Sequence, residues 1–177
     1  MWLSRSRRRA VSLILSILLV GGACYPGARD ASGQLSAIYG AILRDSSAVE
    51  PRRVVFLDPR LLSDSGDARV AQHRMPDSVA STLIAQRVAA GVCVPVQSRP
   101  EMPGECSSSA APLAVRFSRP QHLSPDTVIV FASLARVIAA GENAHAVMPG
   151  FGFSVEYWLA RHSGGWIVIQ RNRRWVS

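Results

Sequence analysis

The sequence predicts an α+β domain in which two helices pack on a curved antiparallel sheet of three to five strands. Three features point there. Apolar residues recur at helical spacing twice in the first half, the period drops to two from residue 113, and a Ser-Gly-Gly corner joins two apolar stretches near the C-terminus. Helices with one apolar stripe and strands with one apolar face bury both sets when stacked as layers. At 177 residues and 48% apolar composition the chain suits one domain with a real core.

The first 23 residues read as an export signal and stand outside that domain. Arg5, Arg7, Arg8 and Arg9 precede the apolar run AVSLILSILLV, and the small residues GGA lead to Cys24. The run of eleven residues falls well short of the roughly 20 that cross a bilayer as a helix. Removing residues 1–23 leaves sixteen arginines against twelve carboxylates, so the formal charge drops from +8 to +4. Most of the case for an electrostatic nucleic-acid binder goes with it. The string LVGGAC resembles a bacterial lipoprotein box, with Gly21 where a leucine or similar residue is usual. Cys24 is therefore the candidate for lipidation, the alternatives being a free N-terminal cysteine or cleavage at a nearby small residue. The expected address is exported: periplasmic, lipid-anchored to the cell envelope, or secreted.

A polar tether, 24–32, leads into the domain, 33–177. Leu35, Ile38, Tyr39, Ile42 and Leu43 share one face of a helix over 33–44. RRVVFLDP reads as a buried strand ended by Pro59, and 63–76 as loop. A second helix starts at Pro76-Asp77-Ser78, where either polar side chain can cap it. Val79, Leu83, Ile84 and Val88 form its apolar face, and Gly91 its stop. VCVPV suits a brief edge segment. Cys93 and Cys106 bracket a Pro-, Ser- and Gly-rich tract, and in an oxidising compartment they are expected to pair. Closing that loop contributes roughly 3 kcal/mol in the chain-entropy picture.

LAVRFS sets Leu113, Val115 and Phe117 on one face and Arg116 on the other, and RPQHLSPD reads as a connection. TVIVFASLARVIAA (127–140) starts as a central strand, with helix open from Ala132. GENAHAVMPG reads as a flexible connection to a final hairpin, FGFSVEYWLAR and WIVIQR. This order of elements fits a half-open cone of the NTF2-like kind, a shape that hosts enzymes, ligand binders and interaction domains alike.

With Ser163 and Gly164 as the corner, Arg161 faces Trp166, Leu159 faces Val168, Trp158 faces Ile169 and Glu156 faces Arg171. Leu159, Trp166 and Val168 then share the core side. Trp158 and Ile169 share the other, which needs a cover: a helix, a partner or the returning Trp175 tail. Trp158 and Ile169, with Arg171, Arg173 and Arg174, are the candidate binding residues.

VRFS (115–118), TVIVFASLA (127–135), YWLARHSGGWIV (157–168) and the terminal WVS resemble the C-terminal half of an uncharacterised family of small bacterial exported proteins and lipoproteins. Members share a C-terminal β-hairpin and a Trp-x-Ser ending. YGAILRD and VVFLD resemble its N-terminal portion more loosely. Relatives carry Cys-Gly elements before the hairpin, and this chain has none between Val137 and Gly152, so no disulfide or turn geometry transfers there. The resemblance implies export and no known activity, and it supplies no catalytic residue.

His73, His122, His145 and His162 fall in expected loops or turns with no HxxxH or HExxH spacing, so neither a metal site nor a cofactor is expected. Asp58 is the carboxylate to watch: at a strand end beside an open cone it could act as acid or base, with Glu156 or His162 approaching it. The plainer reading has Asp58 capping the turn into Pro59. Two functions follow. The first is a noncatalytic exported or envelope-associated domain binding a small ligand or protein. The second is a small hydrolase- or isomerase-like enzyme using a carboxylate pocket around Asp58. The expected partners are an envelope protein, anionic lipid or cell-envelope polymer, with membrane contact through a lipidated Cys24 and no nucleic acid.

Overall fold

A computed structural model describes residues 28–45, 54–63, 70–94, 106, 113–139 and 145–175; the side chains of 28–30, 70–72, 136–139, 145–152 and 175 lie outside that description. Residues 1–23 and Cys24 lie outside it as well. Helix α1 (Ala28–Arg44) begins inside the expected tether and carries the expected stripe, with Ile38, Tyr39 and Ile42 at most 2% exposed. The Tyr39 ring stacks on Phe117 with centroids 4.5 Å apart, and its hydroxyl donates to the Ser118 carbonyl at 3.0 Å. That pair clamps the helix to the sheet.

The class is α+β, but the sheet is larger than expected and mixed. Its strands are β1 (Val55–Leu57), β4 (Gly91–Val92), β5 (Leu113–Phe117), β6 (Gln121–Ser124), β7 (Thr127–Ala139), β8 (His145–His162) and β9 (Gly165–Trp175). They run in the order β4-β1-β5-β7-β8-β9, with β6 also pairing β7, while β2 (Arg60–Leu62) and β3 (Val70–Arg74) form a separate pair. β1 is parallel to both β4 and β5, with Phe56 opposite Gly91 and Val55 opposite Leu113. The all-antiparallel expectation fails at this end for a topological reason. Between β1 and β4 the chain passes through α2 (Asp77–Ala85), and a crossover of that length returns a strand in the same direction where a tight turn would reverse it.

Five segments differ from expectation. β3 and β6 occupy stretches read as loop and connection; both are short strands whose register makes sense only once their partners are placed. β7 stays a strand through Ala139, because β8 pairs along its whole length. β8 accordingly begins at His145, within the stretch read as a flexible connection. α2 has no side-chain cap at Pro76 and ends before Arg87, whose φ of 58° turns the chain, so Gly91 is not its stop. Gly91 lies in β4 under the Phe56 ring, where an added Cβ would sit 2.9 Å from Cε1. Val79 and Leu83 are buried as expected, and Ile84 is exposed.

The core lies between the helices and one sheet face, where Leu57, Leu83, Val115, Val130, Tyr157 and Leu159 are essentially inaccessible. Cys93 and Cys106 form the expected disulfide, with a Cα–Cα distance of 4.3 Å, and with Phe56 and Ala114 they make a small second cluster. The Cys93 N–H donates to the Leu57 carbonyl, which pins the β4 edge to β1.

Candidate functional site

Asp58 sits just past β1, its N–H continuing the parallel ladder to the Val115 carbonyl at 2.8 Å. The side chain is 1% exposed. Its Oδ1 accepts from the Arg60 backbone N–H at 3.1 Å and from Arg60 Nε at 3.0 Å. Its Oδ2 accepts from Arg60 Nη2 at 2.8 Å and from Arg116 Nη2 at 2.6 Å and Nε at 3.2 Å. Arg60 and Arg116 are themselves buried. Burial opposes ionisation of Asp58, but the hydrogen bonds from Arg60 and the charge of Arg116 outweigh it, and the carboxyl lies below its ordinary value. The group is an ionised anchor for two guanidinium groups. The bond from Oδ1 to the N–H two residues on is the turn cap of the plainer reading.

Glu156 has a separate set of partners. On β8 it points to the sheet face away from the helices, 6% exposed. Oε1 accepts from the Trp158 indole N–H at 2.7 Å and from Asn172 Nδ2 at 3.0 Å, and Oε2 meets Arg174 Nη2 at 2.5 Å. The indole hydrogen bond, with help from Asn172 and Arg174 and against the opposing effect of burial, holds the Glu156 carboxyl below its ordinary value. β7 stands between β5 and β8, so two strand spacings, roughly 10 Å, separate the backbones that carry Arg116 and Glu156. His162 is exposed at the far end of β8, six residues and roughly 20 Å from Glu156. The three candidates for acid–base work thus stand apart, two of them committed to structural partners. Among the described residues no group of three His, Cys, Asp or Glu is placed to hold a metal ion.

The hairpin register matches expectation beside the corner, with Arg161 opposite Trp166 and Leu159 opposite Val168. A bulge between Trp158 and Leu159 then moves it by one, so Trp158 faces Gln170 and Glu156 faces Asn172, where Ile169 and Arg171 were expected. Trp166 is in the core at 9% exposure, Trp158 is half-buried beside Glu156, and Ile169 is exposed at 54%. The side chain of Trp175, one of the covers expected for Trp158, is outside the described residues; its backbone continues β9 opposite Phe153. Of the arginines, Arg174 binds Glu156 and also lies over the Phe131 ring, Arg173 lies over Phe153 at 4.4 Å, and Arg171 Nε approaches Asp45 Oδ2 at 3.4 Å.

Several participants escaped sequence reading. Arg60, Asn172 and Asp45 carry no motif, and their roles depend on strands that meet only in the fold. Arg116 had a signal, as a charge alternating with Leu113, Val115 and Phe117 on a strand too apolar to be solvent-facing. Tyr157 is inaccessible, its hydroxyl has no hydrogen-bond partner among the described residues, and burial pushes the phenol above its ordinary value, with Asp45 adding to the rise. Compared with protein-family models, with curated proteins and with solved structures, the chain matches none of them.

Proposed function

We propose that this chain is a noncatalytic exported or envelope-associated domain that binds another molecule through its C-terminal hairpin. One observation carries the reading: the carboxylates of Asp58 and Glu156 are taken up by guanidinium, indole and amide donors, while β9 leaves Ile169 and the arginine-bearing strand end in solvent. A working acid or base must reach a substrate proton, and Asp58 at 1% exposure faces two arginines. Among the described residues, the carboxylate pocket of the enzyme reading is therefore filled by arginine side chains.

Export is supported by the basic-then-apolar N-terminal pattern and by the Cys93–Cys106 disulfide, which suits an oxidising compartment. No helix among the described residues is long and apolar enough to cross a membrane. Lipidation of Cys24, and membership of the exported-protein family that the C-terminal half resembles, belong to the same proposal. So does the half-open cone: helices packed with one sheet face in a single core, and register shifts along the long β7-β8-β9 meander, support it, and the parallel β4-β1-β5 end is a departure from it.

The test is site-specific photo-crosslinking in the exporting host, with the probe at Ile169 and, as control, at Val94, which is 68% exposed at the opposite sheet edge. A discrete adduct from position 169 and none from 94 is expected. Equal or absent adducts at both positions would overturn the reading.

A further inference from the structure

We propose that the outer edge of β9 takes up an extended acidic polypeptide segment as an added strand. The proposal rests on the binding-domain reading and gives its partner a chemistry. β9 ends the sheet, and every residue from Ile169 to Arg174 is exposed, whereas residues 154–157 of the adjoining β8 are all buried. In an antiparallel pair alternate residues turn N–H and C=O away from the partner, so roughly five residues of β9 present both groups outward. Among the described residues, no backbone hydrogen bond reaches β9 from any element but β8.

Among the described residues, the charged side chains of β9 that reach solvent are all arginine. Arg171 and Arg174 have side chains 41% and 55% exposed, while the carboxylates they meet, Asp45 and Glu156, are recessed at 19% and 8%. Arg173 is exposed as well, and β9 itself contains no Asp or Glu. A second copy of this chain would set arginine against arginine along the seam, a like-charge arrangement that cross-strand pairing disfavours. Anionic lipid or polymer would meet the guanidinium groups, and its hydroxyl or amide groups can donate to single carbonyls, but it lacks the regular alternation of N–H and C=O that matches a strand edge. Another polypeptide backbone satisfies both rows at once. Exposed Ile167 and Ile169, at 46% and 54%, suit an aliphatic residue at one end of the segment, with carboxylates toward Arg171, Arg173 and Arg174.

The experiment uses the purified protein and fluorescent peptides of about ten residues alternating valine or threonine with glutamate. Matched peptides carry lysine for glutamate, or N-methyl groups on alternate amides, and phosphatidylglycerol vesicles form a further arm. The glutamate peptide should bind by anisotropy and slow amide exchange in β9. Arg173→Glu should weaken it about tenfold and strengthen the lysine peptide, a charge swap that a misfolded variant cannot give. Failure of every peptide to bind, equal binding of the N-methylated peptide, vesicle binding without β9 protection, or a peptide-free dimer with protected β9 amides would each overturn strand addition. If probe-bearing position 169 still traps a discrete partner in any of those cases, the binding-domain reading survives; if it traps none, that reading fails too.

Discussion

Replacing Asp58 with asparagine separates anchoring from catalysis. The variant leaves the Arg60 and Arg116 guanidinium groups buried with a weaker acceptor, and breaking a buried ion pair from one side costs about 3–5 kcal/mol. Urea unfolding at pH 7 should show that loss; an unchanged midpoint would refute the anchoring role. The pH dependence follows from the direction of the shift. The Asp58 carboxyl is lower in the folded protein than in the unfolded chain, so the folded state binds fewer protons. Its stabilisation is complete above the unfolded value of about 4 and is lost as pH falls from there through the folded value. D58N should therefore flatten the acid limb of the stability curve. Trp158→Phe removes one charged hydrogen bond from Glu156 and should cost about 1–2 kcal/mol while raising the Glu156 titration midpoint in NMR spectra. Tyr157→Phe should behave oppositely. Its hydroxyl is buried without a partner among the described residues, and removing an unsatisfied group should leave stability unchanged or raise it by about 1 kcal/mol. A clear loss would mean the hydroxyl has a bonding role.

At the scale of single elements the hairpin corner carries the sharpest expectation. Gly165 has φ of 123°, a conformation that L side chains rarely adopt, although open space surrounds it. Gly165→Ala should therefore cost about 1–2 kcal/mol through backbone strain alone, whereas Gly164→Ala, at an ordinary φ, should cost less; equal thermal shifts for the two would contradict the corner geometry. This corner was legible because Ser-Gly-Gly between two apolar runs specifies a turn, and the turn sets the first pairs. The rest of the register was not legible, because one extra residue in β9, Ile169 between the partners of Trp158 and Leu159, shifts every later pair and leaves no mark in the hydrophobic pattern. α1 was legible through Ile38, Tyr39 and Ile42, and the disulfide through composition. The Asp58 cluster was half legible: Asp58 and Arg116 drew notice separately, but their meeting depends on β1 lying parallel to β5, a long-range pairing that no local period encodes.

Across the whole molecule the two sheet edges are managed differently, and their behaviour under reduction should differ. β4 is only two residues long and is held by a covalent bond at its end, by backbone bonds from Ala90 to Val55 and from Cys93 to Leu57, and by the Phe56 ring against Gly91. β9 is eleven residues long and needs no such staple, because it pairs along most of β8 and sends Trp166 into the core. Between them β7 pairs on both sides, and Val128, Val130 and Ala132 are inaccessible. Opening a strand edge costs less than opening a doubly paired strand, so exchange should be slowest in β7 and faster toward either edge. Reducing the disulfide removes the loop constraint, worth roughly 3 kcal/mol in the chain-entropy picture, from the β4 end alone. Hydrogen exchange of the reduced protein should then show the Ala90 and Cys93 amides losing protection while those of Val130, Ala132 and Tyr157 retain theirs. The buried Phe56 and Ala114 would become solvent-accessible with them, since the two cysteines complete that cluster. If protection fell uniformly, β7 included, the disulfide would be holding the whole domain, and the parallel end could not be treated as a separately opening unit.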